Sequence, residues 1–203
     1  MPYNEGMDTS IQTLLDKDQI RDVMLRYCRG VDRRDWEAVR ATFFEDGHDD
    51  HADFHGVRDE FVAWVSERHN DPGVLKSAHM LSNMLIEFAS PEKAVVETYF
   101  MAKLELAQEA GGHREMLAKG LGAGNAAVEV LGRYVDRFEK RNGVWKVAKR
   151  RTVFDSMHTI TVSSDDPRGK TWLLGTRDGE DPLHVARKES GLAAHAIHPA
   201  TRK

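Results

Sequence analysis

Tyr27, Asp32, His79 and Arg150 lie far apart in the chain, yet their side-chain types, gathered in one place, would make an acid/base site. A histidine titrates near neutral pH. A carboxylate bonded to its second ring nitrogen fixes the tautomer and stabilises the imidazolium once it has taken a proton. A tyrosine can donate a hydrogen bond or proton to a departing hydroxyl, and an arginine can hold developing negative charge with a rigid fork of donors. Such a set performs elimination with protein groups alone, so neither a metal nor a cofactor is expected. Taken singly, each residue has a plainer reading: His79 as a satisfied strand histidine, Tyr27 as a core aromatic, Asp32 as a helix-end turn residue. Arg150 is followed by Arg151, and strand alternation sends the two to opposite faces.

Two other stretches invite chemistry. The run His48-Asp49-Asp50-His51-Ala52-Asp53-Phe54-His55 concentrates imidazoles and carboxylates, but without the fixed spacing of a metal site. The better reading has His51 lining a pocket as a second acid/base or substrate-binding group, with His48 and Asp49 solvated. The run Gly120-Leu121-Gly122-Ala123-Gly124-Asn125 has Asn125 where a nucleotide-binding loop needs its third glycine and lacks a βαβ context, so it reads as a flexible loop.

The elements that must position these groups follow from periodicity. Ile11, Leu14, Leu15, Ile20, Val23, Met24, Tyr27 and Val31 recur at spacings of three and four, predicting one long amphipathic helix. Gly30 and the Asp32-Arg33-Arg34-Asp35 break stop it, and Asp35 is placed to cap a second helix carrying Trp36, Val39 and Phe43. After a polar stretch from Glu45 to His55, Val57, Phe61, Trp64 and Val65 mark a third helix. The period then changes to that of strands over 76–88, 94–106, 128–140 and 144–158, the last two joined by Arg141-Asn142-Gly143, a strong hairpin signal. Helices followed by four long antiparallel strands predict an α+β domain whose sheet curls around the helices and leaves a pocket between them. The glycine-rich 107–127 segment reads as an inserted loop of the length that lids have, with a short helix around Arg114 to Ala118. Beyond residue 160 the chain turns polar; 1–160 is read as the catalytic domain and 161–203 as an extension anchored by Trp172-Leu173-Leu174 that packs on the domain or a neighbouring subunit.

Composition bounds the rest. The chain has 203 residues, a formal net charge of -4 and one cysteine, Cys28. The interspersed charges lack the basic stripe of a nucleic-acid partner, no apolar run is long enough to span a membrane, and the N-terminus lacks the pattern of a signal peptide. A cytoplasmic protein is expected.

Several pieces in this order resemble the SnoaL-like branch of the nuclear transport factor 2-like superfamily. They are Tyr27-Cys28-Arg29-Gly30-Val31-Asp32 at the end of the first helix, Asp50-His51 followed by Phe54-His55-Gly56, His79 with Asn83 and Glu87, Glu97-Thr98-Tyr99, and Gly143-Val144-Trp145-Lys146 leading to Arg150. The resemblance covers roughly residues 11–160 and implies an α+β cone, or α+β barrel, with a curved antiparallel sheet around N-terminal helices. Within the superfamily the chain resembles cofactor-independent lyases: scytalone dehydratase, bile acid 7α-dehydratase, hexachlorocyclohexane dehydrochlorinase and the diarylpropane formaldehyde-lyases. That resemblance implies Asp32 and His79 as the catalytic pair, Tyr27 as the dehydratases' tyrosine, and Arg150 as an arginine facing the substrate. It implies a homotrimer as well. Asn83, Tyr99 and Met101 are expected to join His51 in binding a hydrophobic, hydroxylated aromatic or polycyclic substrate. The residues do not distinguish loss of water from loss of formaldehyde. An isomerase or polyketide cyclase of the same fold, and a non-catalytic small-molecule-binding module, stay open.

Overall fold

The computed structural model describes residues 11–111, 114, 117–119, 121–162 and 171–192. Helix α1 spans Ile11–Arg33 and buries Ile20, Val23, Met24, Tyr27 and Val31, the three-and-four spacing read from the sequence. Arg34 ends it in a left-handed conformation (φ 57°). The Asp35 carboxylate then accepts the Ala38 backbone N–H at 3.0 Å, capping α2 (Trp36–Ala41). Gly30 is needed for the close approach of the two helices, since a Cβ there would lie 2.8 Å from Val39 Cγ2. The third helix, α3 (Arg58–His69), buries Phe61, Val62 and Val65.

Six strands form one sheet: β1 (Phe43–His51), β2 (Phe54–Val57), β3 (Val74–Ser90), β4 (Lys93–Leu106), β5 (Asn125–Arg141) and β6 (Val144–Val162). Their order is β2-β1-β6-β5-β4-β3. Every pairing is antiparallel except β1 with β6, which run parallel. The sheet is curved and unclosed, so the fold is the expected α+β cone and not a closed barrel. Its concave face packs α1 against β3 and β6 and α3 against β1 and β2, with one apolar core between. Asn142 (φ 52°) and Gly143 (φ 80°) make the left-handed turn of the β5–β6 hairpin.

Four strands were predicted and six are present. The Glu45 to His55 stretch, read as a polar connection, is β1 and β2. The inward positions of β1 beyond Phe43 include Gly47 and Asp49, so the apolar alternation that announces a strand is missing there.

A bulge in β3 changes which residues face inward. Leu81 pairs with Phe100 but Met84 pairs with Thr98, so β3 carries one residue more than its partner. The inward series Ser77, His79, Leu81 therefore continues as Met84, Ile86 and Phe88. Asn83, expected to join the binding site, is exposed, while Met84 and Ile86 pack in the core. Met80 stays on the outer face. On β4 the inward set is Val96, Thr98, Phe100, Ala102 and Leu104, which puts Tyr99 and Met101 outside.

In the 107–127 segment Arg114 N–H donates to Ala110 O at 3.1 Å and Ala118 N–H to Arg114 O at 2.8 Å, one or two helical turns around Arg114; residues 112, 113, 115, 116 and 120 lie outside the described residues. Asn125 opens strand β5, so the glycine run leads to a strand and not to the helix N-terminus that a phosphate loop requires. Residues 171–192 carry a fourth helix, α4 (Pro182–Glu189), capped by Asp181. Of the expected anchor, Trp172, Leu173 and Leu174 are 62%, 85% and 50% exposed in the single chain. Asp181, 3.3 Å from Arg33 Nε, and Arg177 tie the segment to the cone.

Candidate active site

The C-terminal end of α1 and the start of β3 meet in a hydrogen-bonded cluster. His79 Nδ1 is 2.7 Å from Asp32 Oδ1, the His79 backbone N–H donates to Asp32 Oδ2 at 2.8 Å, and Ser77 Oγ donates to Oδ1 at 2.9 Å. Hydrogen bonds to a charged acceptor contribute about 1.5–3 kcal/mol each, so the carboxylate is held in one orientation. Burial pushes the Asp32 pKa up, but the His79 and Ser77 hydrogen bonds and the imidazole charge outweigh it, and the net shift is downward. Asp32 therefore stays ionised beside the imidazole. The Asp32 carbonyl, one of the acceptors left open at the end of α1, receives Arg177 Nε at 3.1 Å. Arg177 also donates to Val74 O at 3.0 Å and sits 3.3 Å from His69 Nδ1.

His79 lines a cavity of about 270 Å³ between the helices and the concave face. Its walls are mostly apolar and aromatic, with Trp64, Phe100, Tyr134, Phe154, Leu117 and Met157 among them. The polar groups are few: Tyr27, His51, Arg68, His69 and His79. This combination orients a mainly apolar ligand by a small number of hydrogen bonds. Burial, reinforced by Asp49 and opposed by Arg150, raises the Tyr27 pKa, so its phenol stays protonated. Burial likewise pushes the Cys28 thiol up to about 12, leaving it unreactive.

Arg150 does not face this cavity. It points inward, as alternation predicts, while Arg151 is exposed near Asp50. The side chain is fully buried behind the tyrosines, its guanidinium 4.1 Å from the Tyr27 ring centre and 4.3 Å from that of Tyr134. Its fork is taken by Asp136, with Nε to Oδ1 at 2.8 Å and Nη2 to Oδ2 at 2.7 Å. The expectation of an arginine facing the substrate is corrected accordingly: two aromatic rings separate the guanidinium from the ligand space. Asp136 raises the Arg150 pKa despite burial, so the charge is permanent.

His51 lies in the cavity wall as predicted, with Nδ1 3.1 Å from Thr152 Oγ1. Asp49, expected in solvent, is fully buried, because β1 is a strand and odd-numbered Asp49 shares the inward face with Gly47. His48 and His55 instead approach Asp50, at 3.4 and 3.3 Å. Among the described residues no group of three or more His, Cys, Asp or Glu side chains is placed to hold a metal. Asn83, Tyr99 and Met101 are absent from the cavity wall; Tyr99 instead lies outside beneath Arg133. Ser77, Arg68 and His69 were missed. Ser77 was within reach, standing two residues before His79 on the same strand face, whereas nothing local marks the last turn of α3.

Comparison with solved structures places the whole cone. A protein from Novosphingobium aromaticivorans, provisionally assigned as a scytalone dehydratase, matches over 79% of this chain and 98% of its own, with a TM-score of 0.59 and 21% identity. A type 2 hexachlorocyclohexane dehydrochlorinase matches over 78% and 98%, with a TM-score of 0.64 and 17% identity. The type 3 dehydrochlorinase from Novosphingobium barchaimii gives 76% and 99%, 0.62 and 16%. Comparison with curated proteins gives no match. At these identities the structural likeness speaks for the nuclear transport factor 2-like fold. The sequence itself fits the family model for the SnoaL-like domain over residues 12–151, a span holding Tyr27, Asp32, His51, His79 and Arg150, and the chain thus belongs to the SnoaL-like family.

Proposed function

We propose that the protein is a cofactor-independent lyase acting on a hydrophobic, hydroxylated aromatic or polycyclic small molecule. The observation that carries this reading is the 2.7 Å contact between His79 Nδ1 and the buried Asp32 carboxylate, with the imidazole forming part of an apolar, aromatic cavity. With Nδ1 bonded to the carboxylate, Nε2 is the nitrogen that removes a proton, and Asp32 supports the imidazolium that results. Tyr27, its phenol kept protonated by burial, donates a hydrogen bond to the departing oxygen. Arg150 acts from behind, fixing the Tyr27 and Tyr134 rings and adding positive charge beneath them. Removal of a proton next to a carbon–oxygen bond expels water. Removal of the proton of a hydroxymethyl group turns its oxygen into the carbonyl of formaldehyde; the broken carbon–carbon pair becomes a double bond as a second group departs, the outcome for a lignin-derived diarylpropane.

The test is incubation of EDTA-treated protein with a panel of hydroxylated mono- and diaryl substrates, following new conjugated alkenes by absorbance and formaldehyde by colorimetric assay. Alkene formation that disappears in His79→Ala is expected. Products isomeric with the substrate would move the reading to the isomerases and cyclases, and ligand binding without turnover across the panel would point to a binding module.

A further inference from the structure

We propose that Asp49 and His51 form a second His–Asp pair, presenting a second imidazole to the cavity from the wall opposite His79. Its catalytic role rests on the lyase reading; the pairing itself does not. His51 is on β1 and His79 on β3, with β6, β5 and β4 between them. The curvature of the sheet turns both inner faces toward one cavity, and both imidazoles line it.

Asp49 is the unexplained group. Its side chain is completely buried and neither carboxylate oxygen has a hydrogen-bond partner, a state that is costly unless a donor comes to it. The cross-strand row runs Asp49, Arg150, Asp136, but Arg150 gives Nε and Nη2 to Asp136. Besides Arg150 Nη1, itself buried without a partner, the donor that approaches Asp49 is His51, whose Nδ1 is 3.6 Å from Asp49 Oδ1, just beyond hydrogen-bond length. The ring is held by Phe61, Trp64 and Phe154 at centroid distances of 5.8, 5.5 and 5.6 Å. A proton on Nδ1 satisfies Asp49 and leaves Nε2 for the cavity, the arrangement of His79 with Asp32. The charged and titratable groups that share the cavity wall with His51 are Tyr27 from α1, Arg68 and His69 from α3, His79 from β3 and Tyr134 from β5, with Asp49 beside it on its own strand.

In turnover the two imidazoles divide the proton work. His79 Nε2 takes the proton from carbon, the C–H electron pair becomes the new double bond, and the C–O bond breaks with its pair on oxygen. His51, as imidazolium beside Asp49, gives its Nε2 proton to that oxygen, which leaves as water. One histidine ends protonated and the other neutral, and proton exchange with solvent restores both.

The test is nitrogen-15 NMR of the histidine rings in the full-length protein, with His51 assigned through His51→Gln. Above the ordinary histidine range, at about pH 8, the wild type is expected to hold His51 as the Nδ1–H tautomer. Asp49→Asn should remove that preference while the His79 signals stay in place. Thr152→Val, which removes the competing partner and keeps the carboxylate, should leave the Nδ1–H form intact. An Nε2–H tautomer in the wild type would overturn the pair, as would its loss in Thr152→Val or an unchanged tautomer in folded Asp49→Asn. Should Asp49→Asn not fold, the wild type and Thr152→Val decide. The Nδ1–H result in a protein that turns over no substrate would retain the pair and remove only the lyase reading.

Discussion

Asp32 binds its neighbours through three hydrogen bonds, two of them from His79, so the carboxylate and the imidazole should behave as one unit. On an active substrate, His79→Ala and Asp32→Asn are each expected to lower kcat by about 10²–10⁴-fold, the usual contribution of a positioned acid/base group. The double variant should be little worse than either, since groups acting together are non-additive; losses that multiply would separate the two roles. The same contacts tie stability to pH. The folded-state pKa of Asp32 lies below its ordinary value, so its stabilising contribution is complete above the unfolded value of about 3.9 and is lost as pH falls through the folded one. Denaturant midpoints measured from neutral pH downward should therefore fall less steeply below about pH 4 in Asp32→Asn than in the wild type. Parallel curves would show that the contacts do not survive in solution.

At the scale of elements, the pair depends on where α1 ends and how β3 begins, and Arg177 bridges the two by donating to Asp32 O and Val74 O. Burial and the neighbouring Arg34 push the Arg177 pKa down to about 10, a value that still leaves it charged at neutral pH. Arg177→Ala leaves the Asp32 carbonyl only Arg33 at 3.5 Å and the Val74 carbonyl only Arg34 at 3.3 Å, and is expected to cost about 1–3 kcal/mol, read as a lower thermal midpoint, with faster hydrogen exchange in residues 171–192. An unchanged midpoint would make the segment a passenger. Most elements were legible because helices and long strands advertise themselves by period. The pair was legible only through the family resemblance, since Asp32 and His79 taken singly read as a helix-end residue and a strand histidine. What escaped notice has physical causes. Polar inward residues disguised β1, and with it the burial of Asp49. One extra residue in β3 exchanged the faces beyond Leu81 and displaced Asn83. Tyr99 and Met101 were assigned because their strand follows that of His79, although alternation set by Phe100 turns them outward. Arg150 was read correctly for its face, but its depth depended on Asp136 in the neighbouring strand, a pairing that only the register reveals.

For the whole molecule, the outer face of the sheet carries the apolar surface on which an assembly is predicted. Met80, Met101 and Leu131 sit in one cross-strand row and are 47%, 38% and 41% exposed; Leu85 and Val95, exposed by 60% and 49%, lie on the same side. Contiguous apolar surface on a sheet is uncommon where nothing covers it, and the row runs across β3, β4 and β5, the long strands farthest from β1 and β2. The charges around it are paired across strands, Lys103 with Glu129 and Arg133 with Glu97, so the rim carries little uncompensated charge to repel an identical copy. A homotrimer built through this face is the expected assembly. Light scattering coupled to size exclusion should give three times the 23.0 kDa chain mass at micromolar concentration. Met101→Lys places a charge at the centre of the row, and with Leu131→Lys it should release monomers whose His79 and Asp32 remain paired, because neither substituted residue touches the cavity. A wild-type monomer would defeat the prediction, and a trimer indifferent to both lysines would move the interface to another surface, with the exposed Trp172-Leu173-Leu174 segment the next place to substitute.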